Sequence, residues 1–253
     1  MQRTLAGCLA LLGVLAAPAA FAAEIKVLTA GAFKPVVAAL APAYEQRTGH
    51  TVVVVNDTAG ALLRRIAAGE AFDVAVLTPE AMARLGEAGQ VVPSAAPLAR
   101  VGIGVAVKEG APVPDIGTVA AFTQALLAAR AVAYVDPASG GSSGTYLSGL
   151  FTRLGIADRI GPKAVLVPGG LVAARVVSGE ADLALHQISE ILAVPGARLV
   201  GPVPAELQSY TVYVGAVGAA SRDAEAAGAF LRDLAGEKAA RVLKQKGMEA
   251  PPG

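Results

Sequence analysis

"RRIAAGEAFDVAVL" (Arg64 to Leu77) has an echo further along the chain, "ARVVSGEADLALHQ" (Ala174 to Gln187). Each runs through an arginine, an apolar turn, Gly-Glu-Ala, an aspartate and a short apolar stretch. Each also follows a glycine-bearing loop, Thr58-Ala59-Gly60 in the first case and Pro168-Gly169-Gly170 in the second. Loop, helix, tight turn and strand therefore recur in the same order, which predicts two similar α/β lobes.

The flanking sequence extends the pattern in both directions. Glu24 to Thr29 reads as a strand and Pro35 to Arg47 as a helix, with Pro35 in its first turn and Gly49 closing its far end. Thr51 to Val55 is a β-branched strand, Leu62 to Ala68 a short helix and Asp73 to Leu77 a third strand, after which Pro79 opens another helix. Val101 to Val107 reads as a strand and Val119 to Ala129 as a helix. The pattern then restarts with strands at Ala131 to Val135, Ala164 to Val167 and Leu183 to His186, and helices at Thr145 to Leu154 and Leu171 to Val177. A strand at Thr211 to Val217 and helices at Ala224 to Leu234 and Glu237 to Lys246 complete it. Alternating strands and helices joined by short loops predict doubly wound parallel sheets, whose ligands sit beyond the strands' carboxyl ends.

The N-terminus reads differently. Arg3 precedes the short apolar run Leu5 to Ala17, and Ala20-Phe21-Ala22 has the small-x-small form of a cleavage site. This predicts a signal peptide over residues 1–23, cut near Ala22 or Ala23, and hence export to the periplasm. Leu5-Ala6-Gly7-Cys8 spells a lipoprotein box but lies ahead of the apolar stretch that should precede it. Removing the leader removes Arg3 and the single cysteine, Cys8, leaving 20 acidic side chains against an equal number of basic ones. That neutrality gives no support to nucleic-acid binding or a polybasic membrane contact. No His, Cys and carboxylate spacing suits a metal, and no cofactor motif is present. A monomer with no stable membrane insertion is expected.

The chemistry is concentrated in Gly/Ser loops, chiefly "DPASGGSSGTYLSGLF" (Asp136 to Phe151). Four such loops fall at expected strand-to-helix junctions: Thr29 to Phe33, Asn56 to Ala61, Ser139 to Thr145 and Pro168 to Leu171. Helix N-termini leave N–H groups unpaired and carry partial positive charge, so these loops point to an anion. Gly140 to Gly144 also fits G-x-S-x-G, with Asp182 and His186 downstream, but Asp136 to Ser139 separate it from its strand, which the hydrolase nucleophile elbow does not allow. Gly102-x-Gly104 lies within a strand and lacks the third glycine of a dinucleotide site.

Four stretches carry a resemblance: "EIKVLTAGAFKPVVAALAPAYEQRTGHTVVV", "TAGALLRRIAAGEAFDVAVLTPEAM", "YVDPASGGSSGTYLSGLFTRLGI" and "AAGAFLRDLAGEKAARVLKQKGME". With them the mature chain resembles the periplasmic molybdate-binding proteins, class II solute-binding proteins of ABC importers. The resemblance implies two lobes joined by two crossing segments: 24–104 plus 213–253 in lobe 1, 105–212 in lobe 2, and hinges near Val105 and Tyr210 to Val214. It implies a cleft closing on a small anion for delivery to a permease. The family's ligand serines and tyrosine fall at Ala32, Ala59 and Gln187, and its backbone donors near Ser143 and Gly170. The loss of three hydroxyls leaves a tetrahedral oxyanion short of donors and keeps a carboxylate ligand open.

The expected ligand-binding set is Gly31, Ala32, Lys34, Thr58, Ala59, Gly60, Ser142, Ser143, Gly144, Thr145, Gly169, Gly170 and Gln187. Two functions remain open: a binding component for a molybdate-type or small organic anion, and an enzyme. Some relatives of this family are aconitate isomerases, a reaction needing a base near the shifting proton. His186, Lys34 and Glu190 are its candidates here.

Overall fold

The computed structural model describes residues 22–251. The expected signal peptide lies outside them except for Ala22 and Ala23. In chain order the elements are β1 (Glu24–Ala30), α1 (Lys34–Thr48), β2 (Thr51–Asp57), α2 (Ala59–Ala67), β3 (Val74–Leu77), α3 (Pro79–Glu87), β4 (Ala96–Lys108), α4 (Val119–Ala128), β5 (Val132–Val135) and α5 (Ser142–Arg153). Then follow α6 (Ala157–Ile160), β6 (Ala164–Val167), α7 (Ala174–Val177), β7 (Leu183–Gln187), α8 (Ile188–Ile191), β8 (Ala197–Pro202), β9 (Tyr210–Val217), α9 (Ala224–Ala235) and α10 (Glu237–Gln245).

The strands run in the order β2-β1-β3-β9-β4-β7-β5-β6, with β8 also on β4. β1 pairs parallel with β2 and β3, and β5 pairs parallel with β6 and β7. β4 is the seam. Its first half, through Gly102, pairs with β9, whereas Ile103 to Ala106 pair with β7. Gln208 clasps this changeover: its amide accepts from the Ile103 N–H at 2.7 Å and donates to the Ile103 carbonyl at 2.9 Å, replacing one rung of ladder. β4 and β9 thus cross between two α/β lobes.

Alternation along the strands gives each sheet two apolar faces. In the first lobe Val27, Val74 and Val76 face Phe33, Tyr44 and Phe230, while Leu28, Ala75 and Leu77 face Leu62, Met82 and Leu85. In the second, Val105, Val132 and Leu185 face Phe122, Leu147 and Phe151, while Ala106, Ala133 and Ala184 face Val172 and Val176. Each fully buried large side chain contributes about 1.5–3 kcal/mol, and these residues anchor the inner strands β1, β3, β4, β5 and β7, whereas β2, β6 and β8 at the margins are only partly buried.

The echo of the opening sequences is structural as far as β3 and β7, since each follows a helix and a left-handed glycine, Gly69 or Gly179. Three expectations change. β4 begins at Ala96, five residues before Val101, because β9 pairs along that length. α5 begins at Ser142, so Ser142 to Thr145 form its first turn rather than a loop. The helix expected from Leu171 shrinks to the four residues Ala174–Val177, so Pro168 to Leu171 is a bare loop and not a helix N-terminus.

Candidate functional site

The carboxyl ends of β1, β2, β3, β5 and β7 converge on one cavity of about 40 Å³ between the lobes. A water needs roughly 10–15 Å³ of such volume, so this is room for about three. From the first lobe come Ala30 to Ala32, Asn56 to Ala59, Thr78 and Tyr213; from the second come Gly141 to Ser143, Gly169, Gly170, His186, Gln187 and Glu190. Among these residues there is no lysine or arginine. An anion here meets dipoles, chiefly the uncapped N-terminus of the twelve-residue α5 and the start of α2.

Two contacts hold the lobes together over the cavity. Thr58 caps α2 by accepting from the Ala61 N–H at 3.1 Å, and its hydroxyl donates to the Ser139 carbonyl of the other lobe at 2.7 Å. Gly60 N–H donates to the Gly140 carbonyl at 3.3 Å. The backbones here approach so closely that a Cβ on Gly60 would lie 2.9 Å from the Gly140 Cα.

At the base, His186 Nε2 lies 3.1 Å from Glu190 Oε2, with both side chains over nine-tenths buried. Burial drives both toward neutrality: it lowers His186 to about 3 and raises Glu190 to about 8, opposed in the second case by the charge of Lys34. Near neutral pH the pair is therefore a neutral imidazole beside a carboxyl that exchanges its proton in the physiological range. Tyr213, buried beside them, is held above the ordinary phenol range by burial and the Glu190 charge, so it is a hydrogen-bond donor rather than a phenolate. Gln187 Nε2 donates to Ser142 Oγ at 3.0 Å, and that hydroxyl meets Thr211 Oγ1 at 3.2 Å. His186 Nδ1 and Gln187 Oε1 are buried with no hydrogen-bond partner among the described residues. Such groups are costly unless something else satisfies them.

The cavity gathers Gly31, Ala32, Thr58, Ala59, Ser142, Ser143, Gly169, Gly170 and Gln187 from the expected binding set, together with His186 and Glu190. Four expected residues lie elsewhere. Lys34 is exposed in the first turn of α1 and acts on Glu190 only through its charge. Gly60 forms the lobe contact above. Gly144 is spacing, since a Cβ there would stand 2.3 Å from the Val135 carbonyl oxygen and push α5 off β5. Thr145 is exposed, its hydroxyl donating back to the Gly141 carbonyl. Asn56 and Asp57 line the cavity from the expected anion loop Asn56 to Ala61, though outside the expected binding set, and Thr78 and Tyr213 line it without having been expected. For Thr78 and Tyr213 the sequence signal is that each ends or faces a strand on the side where the loops gather.

Comparison with known proteins agrees with this architecture. Residues 25–249 match the family model described as bacterial extracellular solute-binding protein. An aconitate isomerase from a Pseudomonas species is 38% identical over 235 residues, covering 90% of this chain and 88% of that protein. The periplasmic molybdate-binding protein of Azotobacter vinelandii superposes with a TM-score of 0.75 at 23% identity, covering 90% of this chain and all (100%) of that one. A sulfate-binding protein of Mycobacterium tuberculosis superposes at 0.70 with 21% identity, covering 90% and 87%. These structural likenesses concern the fold. Among the described residues no helix is long and apolar enough to cross a membrane. With two lobes, a cleft at their strand ends and a family match over nearly its whole described length, the chain belongs to the bacterial extracellular solute-binding proteins.

Proposed function

We propose that this protein moves a proton along a small polycarboxylate, interconverting trans- and cis-aconitate, with Glu190 as the proton carrier. The observation that carries the reading is the buried His186–Glu190 pair in the cleft. A solute-binding site needs donors for its ligand but has no need of a carboxyl titrating at about 8. The 38% identity to an aconitate isomerase supports the same substrate class.

In its anionic form Glu190 removes a proton from the substrate methylene. That C–H electron pair spreads over the three-carbon unit and into the adjoining carboxylates. Glu190, now protonated, returns the proton to the former vinylic carbon, and the double bond moves by one position. Proton count and oxidation state are unchanged, so no co-reactant enters. His186, neutral, donates to the Glu190 carboxylate when it forms. The α5 and α2 N-termini and the Tyr213 hydroxyl face the charge that develops, as a carbanion-stabilising site requires. A carboxyl near pKa 8 suits both directions, being a stronger base than an ordinary glutamate and still an acid at neutral pH.

A second reading follows from volume. About 40 Å³ suits a compact anion of few atoms better than a twelve-atom tricarboxylate, which requires the Thr58–Ser139 and Gly60–Gly140 contacts to open. A protein that closes on such an anion and hands it to an importer permease in the periplasm would use the same cleft without turnover.

Proton NMR of trans-aconitate incubated with the purified protein in deuterium oxide separates the two. Turnover gives cis-aconitate, carrying solvent deuterium only to the extent that Glu190 exchanges its proton before returning it, and Glu190→Gln loses at least about 10²-fold of the turnover. If trans-aconitate stabilises the protein thermally but is recovered unchanged, the isomerase reading fails and the carrier reading stands.

A further inference from the structure

The helix that bears Glu190 has only four residues, too few to hold a position by its own hydrogen bonds. It is fixed from outside. Ser189, 1% exposed, donates from Oγ to the Ala32 carbonyl at 2.8 Å, tying α8 to the turn that follows β1 in the other lobe. Three glycines from distant parts of the chain then close around it. A Cβ on Gly31 would lie 2.5 Å from Glu190 Oε1, one on Gly104 2.8 Å from Ile188 Cγ1, and one on Gly247 2.6 Å from Ile188 Cγ2 and 2.9 Å from Leu192 Cδ1. No side chain larger than hydrogen fits at these three points without displacing a side chain of α8 or the Leu192 that follows it.

We infer that Ser189 is a positioning residue: its bond to Ala32, within this glycine socket, holds the Glu190 carboxyl against His186 and away from water. The inference rests on the reading of Glu190 as proton carrier only for its effect on turnover; its effect on Glu190 itself stands alone. Removing the hydroxyl frees the buried Ala32 carbonyl and lets α8 shift, and water then reaches Glu190. The groups facing Glu190 are His186 from β7 and Tyr213 from β9, with the Lys34 charge acting from α1. None of them is changed by substitution at Ser189, so a change in its proton affinity reports position.

The test follows the carbonyl stretch of protonated Glu190 by infrared titration, with Glu190→Gln identifying the band, alongside kcat and KM for trans-aconitate. Gly104→Ala, which presses on Ile188 from another side of the socket, is a second variant for the case that Ser189→Ala does not fold. Expected in Ser189→Ala is a Glu190 proton affinity at least tenfold below wild type. A kcat at least tenfold lower with KM within twofold should accompany it, and Ser189→Thr should restore both. Unchanged Glu190 titration and unchanged kcat in the folded variants overturn the inference. A shifted titration in a protein whose wild type does not convert trans-aconitate keeps the positioning role and removes the proposed reaction.

Discussion

Adding one methyl group at Gly31 tests the geometry of the proton carrier directly. Gly31 lies outside the left-handed region, so alanine can adopt its backbone conformation. The new Cβ would meet Glu190 Oε1 at 2.5 Å and Cδ at 3.3 Å, while ordinary contact begins at 3.4 Å. The carboxyl must therefore retreat by roughly 0.9 Å, from a site that is 6% exposed and bounded on its other side by His186. A misplacement of about 1 Å costs about 10²-fold in rate, or about 2.7 kcal/mol of barrier. Overpacking costs about 1–3 kcal/mol of stability, which lowers the melting midpoint without abolishing the fold. The assay is kcat for trans-aconitate conversion, with Gly149→Ala as control. Gly149 sits mid-helix in α5 with only the Arg153 side chain near, so alanine there should stabilise by up to about 1 kcal/mol and leave kcat unchanged. A Gly31→Ala protein that folds and retains wild-type kcat refutes the claim that the Glu190 carboxyl must stay where this structure holds it.

Two further expectations concern stability and closure. Glu190 holds its proton more tightly folded than unfolded, so its contribution falls as pH rises from about 4.5 to about 8; His186 is harder to protonate folded, so its contribution rises with pH from about 3 to about 6.5. The two slopes cancel between 4.5 and 6.5, predicting a plateau there and a decline from 6.5 to 8 that Glu190→Gln abolishes; urea melts across this range measure it. Thr58→Val removes both a helix cap and an inter-lobe bond. It should cost about 1 kcal/mol of stability and enlarge the radius of gyration seen by small-angle scattering of the ligand-free protein, and an unchanged scattering profile would show that the Thr58–Ser139 contact does not hold the lobes closed.

Much of this architecture was legible in the chain because it is written locally. Period-two apolar strands, Pro35 and Pro79 in helix first turns and the repeated Gly-Glu-Ala turn all act within a few residues. The gathering of Gly/Ser loops at one end of the sheets follows from the same order of elements, which brings Ala32, Ala59, Ser142 and Gln187 to a common cavity. What escaped is set by distant contacts. β8 and the first half of β4 are strands because of what lies beside them. α8 has no helical periodicity of its own. Gly144 reads as one more donor in a glycine loop, whereas its role is to let α5 lie against the Val135 carbonyl. Lys34, attractive as the cation nearest an anion loop, points to solvent because the first turn of α1 buries Phe33, Val36 and Val37 instead. Tyr213 gives no sign of its place, since nothing in "YTVYVGAV" tells which tyrosine meets the cleft.

The changeover within β4 also dictates an order of assembly. In the first lobe β3 lies between β1 and β9, and β9 is made after every strand of the second lobe. Until Tyr210–Val217 has been synthesised and threaded alongside, Val74 to Leu77 present an unpaired edge, whereas β5, β6 and β7 already have one another. Strands β5 to β8 thus form one uninterrupted stretch of chain and β1, β2, β3 and β9 are split around it, so a late-made strand supplies the rung on which β3 waits.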